Sequence, residues 1–304
     1  MSLVNVFLVS ELKELYNNKK INIGDVVNID CKKVNFNVKV ANNGSKYGDL
    51  VLGDKDATLN AKYWGISENA IGFLNESSYI RCTVTVDEFN GVLQLKISKI
   101  FSIPESEFNL SKLDITAPEP IESLVSYLEE RINEIDDEAI KLIVERRFAE
   151  NKDKFVIWPA ARSHHHNYRS GLLYHTVSML RLANNNLRQY PGTLDKDIVY
   201  GSIILHDMDK IREYSSVDNP QFTELGELYG HIFLSGAETY HHAKVIAKEN
   251  PDINLSKVKY LIHSILAHHG KKEWGSPVEP RTIEAEIIHQ IDMMDSCMNK
   301  KYEK

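Results

Sequence analysis

Residues 204–211 read ILHDMDKI. Ile204, Leu205, Met208 and Ile211 frame a histidine and an aspartate placed side by side, His206 and Asp207. Burying such a pair at the end of an apolar run is costly unless something satisfies both groups. Neighbouring residues on a helix do not face each other. His206 and Asp207 therefore converge on one atom only if it lies just outside the helix and other elements close the cage.

The other histidines suggest what those elements are. All twelve lie after residue 163. His175 sits in GLLYHTVSML, His231 in GHIFLSG, His268 and His269 in AHHG, and Asp292 in HQIDMMD. Each is embedded among apolar residues, where an unpaired imidazole or carboxylate is costly. Alone, His175 or His231 reads as a satisfied core residue, and His206 as a helix C-terminal imidazole balancing the dipole. Taken together they read as a metal cage. Imidazole nitrogens and carboxylate oxygens suit manganese, iron, cobalt, nickel or zinc, and the lack of nearby thiolates speaks against a structural zinc site. His241, His242, His263 and His289 are left as surface or packing residues.

Two kinds of patterning divide the chain. Over 21–103, the runs DVVNIDCKKVNFNVKV, GDLVLGD, ATLNAKYWG, SYIRCTVTV and GVLQLKISKI predict five short strands. Asn90-Gly91 marks a hairpin turn. Five strands in this length match an OB-fold barrel. Residues 104–120, PESEFNLSKLDITAPEP, hold three prolines and no sustained period, and read as a linker. From 121 to 304, apolar residues recur at spacings of three and four, predicting a helical domain. The fold class is thus an N-terminal all-β barrel followed by an all-α bundle. Within 1–20, VSELKELY predicts an amphipathic helix packing on its own barrel or serving an oligomer contact.

Bulk properties narrow the function. The 304-residue chain is 42% hydrophobic and 26% charged, with net charge −7. No apolar stretch is long enough for a membrane span, and the N-terminus lacks the basic region and cleavage site of a signal peptide. Cys31, Cys82 and Cys297 are odd in number and widely spaced, which suits a reducing cytoplasm. The first 116 residues carry 13 basic against 14 acidic side chains, the remainder 23 against 29. General electrostatics therefore supply little affinity for nucleic acid; local basic groups or metal ions would have to do so.

The stretches WPAARSHHHNYRSGLLYHTVSML, YGSIILHDMDKI, LYGHIFL, ILAHHGKKEWGSPVEPR and EAEIIHQIDMMDS resemble the HD-domain metal-dependent phosphohydrolases. More closely, they resemble the YhaM-type bacterial 3′-to-5′ exoribonucleases, which join an OB-fold to an HD domain. The similarity spans roughly residues 21–296. It implies that His175, His206, Asp207 and Asp292 surround one divalent ion, manganese above the other metals. His231, His268 and His269 would serve a second ion, with Asp207 bridging the two. Lys210 would neutralise a phosphoryl oxygen, and His165 and His166 would stand near the scissile phosphate. Single-stranded RNA, with single-stranded DNA as a second substrate by the same chemistry, would be shortened to nucleoside 5′-monophosphates by a homo-oligomeric cytoplasmic enzyme.

Asp209 departs from the family, which usually has glycine or alanine there. Three readings stand: the side chain points to solvent beside Lys210 or Arg212, which is the plainest; it hydrogen-bonds a ligand histidine; or it burdens the phosphate path with charge. On the barrel, Lys46, Tyr47, Lys62, Trp64 and Phe89 are candidates for strand contact, although Trp64 also reads as barrel core and Lys46 as a turn lysine. Two rival readings are an HD nucleotidase or cyclic-nucleotide phosphodiesterase, against which the barrel counts, and a single-stranded DNA-binding replication accessory, against which the intact ligand set counts.

Overall fold

Alternation of apolar and polar residues builds the first half of the protein. The computed structural model describes residues 6–114, 116–162, 166–217 and 220–302, with backbone alone for 299–302. The chain separates at residues 115/116 into two units.

In the first unit, β1 (Val6–Phe7) adds in parallel to β2 (Val26–Val40). β2 is followed by β3 (Lys46–Gly53), β4 (Thr58–Trp64), β5 (Tyr79–Phe89) and β6 (Val92–Phe101). The order β2-β3-β4-β6-β5 closes because β5 pairs back onto β2. β4 and β6 run parallel, whereas the other barrel pairings are antiparallel. All five expected strands are present, and the barrel is OB-like. Inward positions of each strand, among them Ile29, Leu50, Leu59, Val84 and Leu95, form its core. Closure removes the open edges that make isolated sheets prone to pair with other chains. Asn90 and Gly91 both take positive φ, 53° and 78°, as the two-residue hairpin between Phe89 and Val92 requires.

Helix α1 (Val9–Asn17) inserts Val9 and Leu12 into that core, both 0% exposed. At about 1.5–3 kcal/mol per buried apolar side chain, these two residues suffice to dock one short helix. A second helix, α2 (Glu68–Glu76), has no counterpart in the strand pattern. Ser67 caps it by accepting from the Ala70 amide, and only Leu74 is fully buried. One apolar anchor leaves too little periodicity for the helix to be read from sequence.

The proline-containing segment after β6 also packs on the barrel. It includes the short helix α3 (Leu110–Leu113), and Phe108 and Leu113 cover Tyr79. Asp114 ends the segment, pairing with Lys32 and accepting from the Tyr79 hydroxyl. Cys31 and Cys82 are free thiols in the barrel interior.

The second unit is helical: α4 (Ile121–Asn133), α5 (Glu138–Phe155), α6 (Gly171–Gln189), α7 (Lys196–Leu205), α8 (Lys210–Glu213), α9 (Glu224–Glu249), α10 (Val258–Ala267) and α11 (Ile283–Tyr302). α7 is buried from Asp197 to Leu205. Such a helix needs apolar residues all round rather than one apolar stripe, and the run IVYGSIIL supplies them. Leu128, Val144, Leu173, Val177, Leu261 and Ile288 belong to the same core. No described helix is long and apolar enough to cross a membrane.

Candidate metal centre

The buried helix α7 runs out at Leu205, with His206 as its C-cap. A tight turn through Asp207, Met208 and Asp209 leads into α8. That break allows two adjacent side chains to serve one space. His175 arrives from α6, His231 from α9, His268 and His269 from the end of α10, and Asp292 from α11.

Asp207 lies at the centre, 2% exposed, with its two oxygens facing different partners. Oδ2 lies 3.4 Å from His206 Nε2, 3.7 Å from His175 Nε2 and 2.6 Å from Lys210 Nζ. Oδ1 lies 3.2 Å from His231 Nε2 and 3.8 Å from His268 Nε2. Asp292 Oδ1 stands 3.3 Å from His175 Nε2. Among the described residues the donor groups include His175–His206–Asp292, His231–His268–His269 and His206–Asp207–His268, each with its ligand atoms within 4.8 Å of one another.

The ring nitrogens facing away from this space are engaged. His206 Nδ1 and His268 Nδ1 lie 2.8 and 2.7 Å from the carbonyls of Ile203 and Ile265. A carbonyl only accepts, so both Nδ1 atoms carry a proton and each ring turns its Nε2 inward. His175 Nδ1 donates to Asp295 at 2.7 Å, His231 Nδ1 to Glu213 at 2.9 Å and His269 Nδ1 to the Trp274 carbonyl at 3.1 Å. Holding a ligand histidine through its outer nitrogen is how proteins fix the orientation of metal-binding imidazoles.

The inner atoms test whether a cation fits. His206 Nε2, His231 Nε2, His268 Nε2 and Asp207 Oδ1 are buried without a hydrogen-bond partner. An unsatisfied buried polar group costs roughly 1–3 kcal/mol, and here four converge. One or more divalent cations would satisfy all of them, and the nitrogen and oxygen donors suit a transition metal.

Titration follows the same geometry. Burial pushes the Asp207 carboxyl up, but His206 and Lys210 outweigh it and hold the group well below the usual range. Burial, then His206 and His269, drive His268 well below an ordinary imidazole. Burial alone would lower His175, yet its bonds to Asp292 and Asp295 raise it to about 10. His175 Nε2 and Asp292 Oδ1 face each other at 3.3 Å. Proton and cation compete for that position.

Residues not singled out from sequence support the cage. Asp295 accepts from His175, from His166 Nε2 at 2.7 Å and from Ser178. It lies one helical turn from Asp292, and that spacing was its only signal. Glu213 takes both the amide and Nδ1 of His231, at 3.0 and 2.9 Å. The bidentate grip is possible because Gly230, with φ 67° and ψ 158°, interrupts α9 and starts a new helix at His231.

His166 is fully buried, its φ is 55°, and its Nδ1 lies 2.8 Å from the Tyr168 hydroxyl. It thus backs His175 across Asp295. His165 lies outside the described residues. Lys210, 8% exposed, lines a cavity of about 330 Å³ that also reaches Asp207, His231, His269 and Asp292.

Asp209 does not point to solvent. It is 1% exposed and pairs with Arg147 of α5, itself 2% exposed. Arg212 also approaches it, at 3.2 Å, whereas Lys210 turns to Asp207. The fully buried guanidinium of Arg147 needs a counter-charge in the interior, a requirement that sequence spacing does not reveal.

On the barrel, Tyr47 and Trp64 are directly opposite on β3 and β4, with rings stacked at 4.5 Å. Trp64 is 51% exposed and does not belong to the core. Lys62 pairs with Asp49 and stands over the Tyr47 ring at 5.6 Å. Lys46 meets Glu68 at 2.8 Å, and Phe89 stands 63% exposed at the β5–β6 hairpin.

The HD domain family matches residues 172–296, the segment that carries all seven cage residues. The 3′-5′ exoribonuclease YhaM of Shouchella clausii is 36% identical over 263 residues, covering 86% of this chain and 80% of that protein. The Bacillus subtilis protein of the same name is 35% identical over 261 residues, with 86% and 81% covered. That of Bacillus pumilus is 32% identical over 280 residues, with 91% and 87% covered. An OB-like barrel, an HD helical unit with a convergent cage, and identity running through both units place this chain in the family of the 3′-5′ exoribonuclease YhaM.

Proposed function

We propose that this protein is a divalent-metal-dependent 3′-to-5′ exoribonuclease that removes nucleoside 5′-monophosphates from single-stranded RNA. The observation that carries the reading is the convergence of His206 Nε2, His231 Nε2, His268 Nε2 and Asp207 Oδ1, buried without a hydrogen-bond partner, on one space. His175, His206 and Asp292 would hold one ion, His231, His268 and His269 a second, with Asp207 shared. When bound, such ions supply Lewis acidity to phosphoryl oxygens and lower the pKa of water.

The chain's own residues do the remainder. Lys210 Nζ, tied to Asp207 and lining the cavity, neutralises a non-bridging phosphoryl oxygen as charge builds up. Asp295 and Glu213 keep His175 and His231 aimed inward. His166, bonded to Asp295, acts in positioning. The cavity walls limit bulk water around the reacting phosphate. On the barrel, the Tyr47–Trp64 stack and Lys62 offer bases a π-surface and the backbone a cation.

The test is a 5′-labelled oligoribonucleotide incubated with Mn²⁺ and either the wild-type chain or Asp207→Ala. Stepwise shortening from the 3′ end by the wild type and its loss in the variant are expected. Shortening by the variant at the wild-type rate sinks the reading.

A further inference from the structure

The cage cavity has apolar lining residues that the metal reading leaves unused. Besides the polar donors, Trp274 and Met293 line it. Both residues are 46% exposed. Trp274 is held firmly in place. Its carbonyl accepts from the metal-facing His269 at 3.1 Å. Its indole lies 6.0 Å from the ring of His289, which is itself fixed to the His268 carbonyl at 2.8 Å. Lys271 stands over the indole at 4.6 Å, so the ring surface is already used as a cation-accepting π-face.

We infer that Trp274, with Met293, receives the base of the 3′-terminal nucleotide and thereby sets that nucleotide's phosphodiester against the cage. This rests on the exoribonuclease reading above and adds to it a substrate-positioning contact. Three features carry the assignment. The cavity, about 330 Å³, is lined by polar groups of the cage together with Trp274 and Met293, matching the two chemistries of a nucleotide. An indole and a thioether accept any base by π-face and polarisable area. Trp274 also serves twice: its carbonyl accepts from His269, and the residue lines the cavity. Truncating the side chain therefore leaves the ligand's support in place.

The experiment compares wild type, Trp274→Ala and Trp274→Phe, each loaded with Mn²⁺. Two oligoribonucleotides are used, identical except that one ends in a stable ribose lacking its base. On the intact substrate, Trp274→Ala should lose roughly 5- to 150-fold in kcat/KM, the range that base–aromatic stacking implies. Trp274→Phe should recover most of the loss. On the baseless substrate, wild type and Trp274→Ala should be alike, and bound manganese should be equal in all three proteins. Equal losses on both substrates, no loss on either, or depleted manganese in Trp274→Ala would each overturn the assignment. If wild type shortens neither substrate, the exoribonuclease reading falls and the inference with it. If it shortens both equally well, only the inference falls.

Discussion

Arg147 and Asp209 form an ion pair in which each side chain is only 2% exposed, two residues beyond the aspartate at the centre of the cage. Arg147 also donates to the Ser235 carbonyl at 3.0 Å and to the Thr239 hydroxyl at 3.2 Å. The turn carrying His206 and Asp207 is thus joined to α5 and α9 by charge as well as by packing. Breaking a buried pair from one side leaves an uncompensated charge, at about 3–5 kcal/mol. Arg147→Met and Asp209→Ala should each lose stability on that scale in urea denaturation. The double variant should recover most of it, because an apolar replacement of both partners is often neutral. If the double variant's loss equals the sum of the two single losses, the pair contributes no coupling.

Glu213 grips His231 only because Gly230 occupies a backbone region that is essentially closed to other residues. Gly230→Ala should cost about 1–3 kcal/mol and misplace His231. Calorimetric titration with Mn²⁺ should show weaker binding or a lost site. Unchanged binding would mean that His231 does not contribute to affinity.

Asp295 supports His175 from outside the cage. Replacing such an outer partner typically costs about 10- to 100-fold in metal affinity. Asp295→Ala should fall in that range while keeping the helical circular dichroism of the wild type. An affinity within twofold of wild type would remove Asp295 from the metal's support.

Removing the cation should cost global stability, because a ligand bound only to the folded state stabilises it by about 2.7 kcal/mol at a hundred times its Kd. Chelator-treated protein should melt several degrees below protein supplied with excess Mn²⁺. In His206→Ala combined with His268→Ala, the same addition should move the melting temperature little. A full shift in that double variant places the cation elsewhere.

The barrel stack is tested on binding alone. Trp64→Ala should weaken binding of a single-stranded oligoribonucleotide by about 1–3 kcal/mol, the value of one base–aromatic contact, without unfolding the barrel, because Trp64 lies outside its core. Fluorescence anisotropy with the full chain and an Asp207→Ala background, which prevents degradation, measures the loss. Identical affinities would move strand binding to another face.

Much of this protein follows from local pattern. Period-two alternation defines β2 to β6, and Asn90-Gly91 marks its hairpin because few other dipeptides tolerate two positive φ angles. The cage was visible because histidines and aspartates in apolar helices demand a common explanation. Other features depend on residues distant in the chain. Helix α2 rests on one buried leucine, Leu74, too little for a periodic signal. Asp209 looks solvent-directed until Arg147, 62 residues earlier, is found beside it. Glu213 and Asp295 resemble ordinary helical acids until folding sets them behind His231 and His175. Composition and periodicity determine which residues must leave water; only the packing of separate helices decides which buried charge meets which, because electrostatic and hydrogen-bond partners are chosen by distance in space and not along the chain.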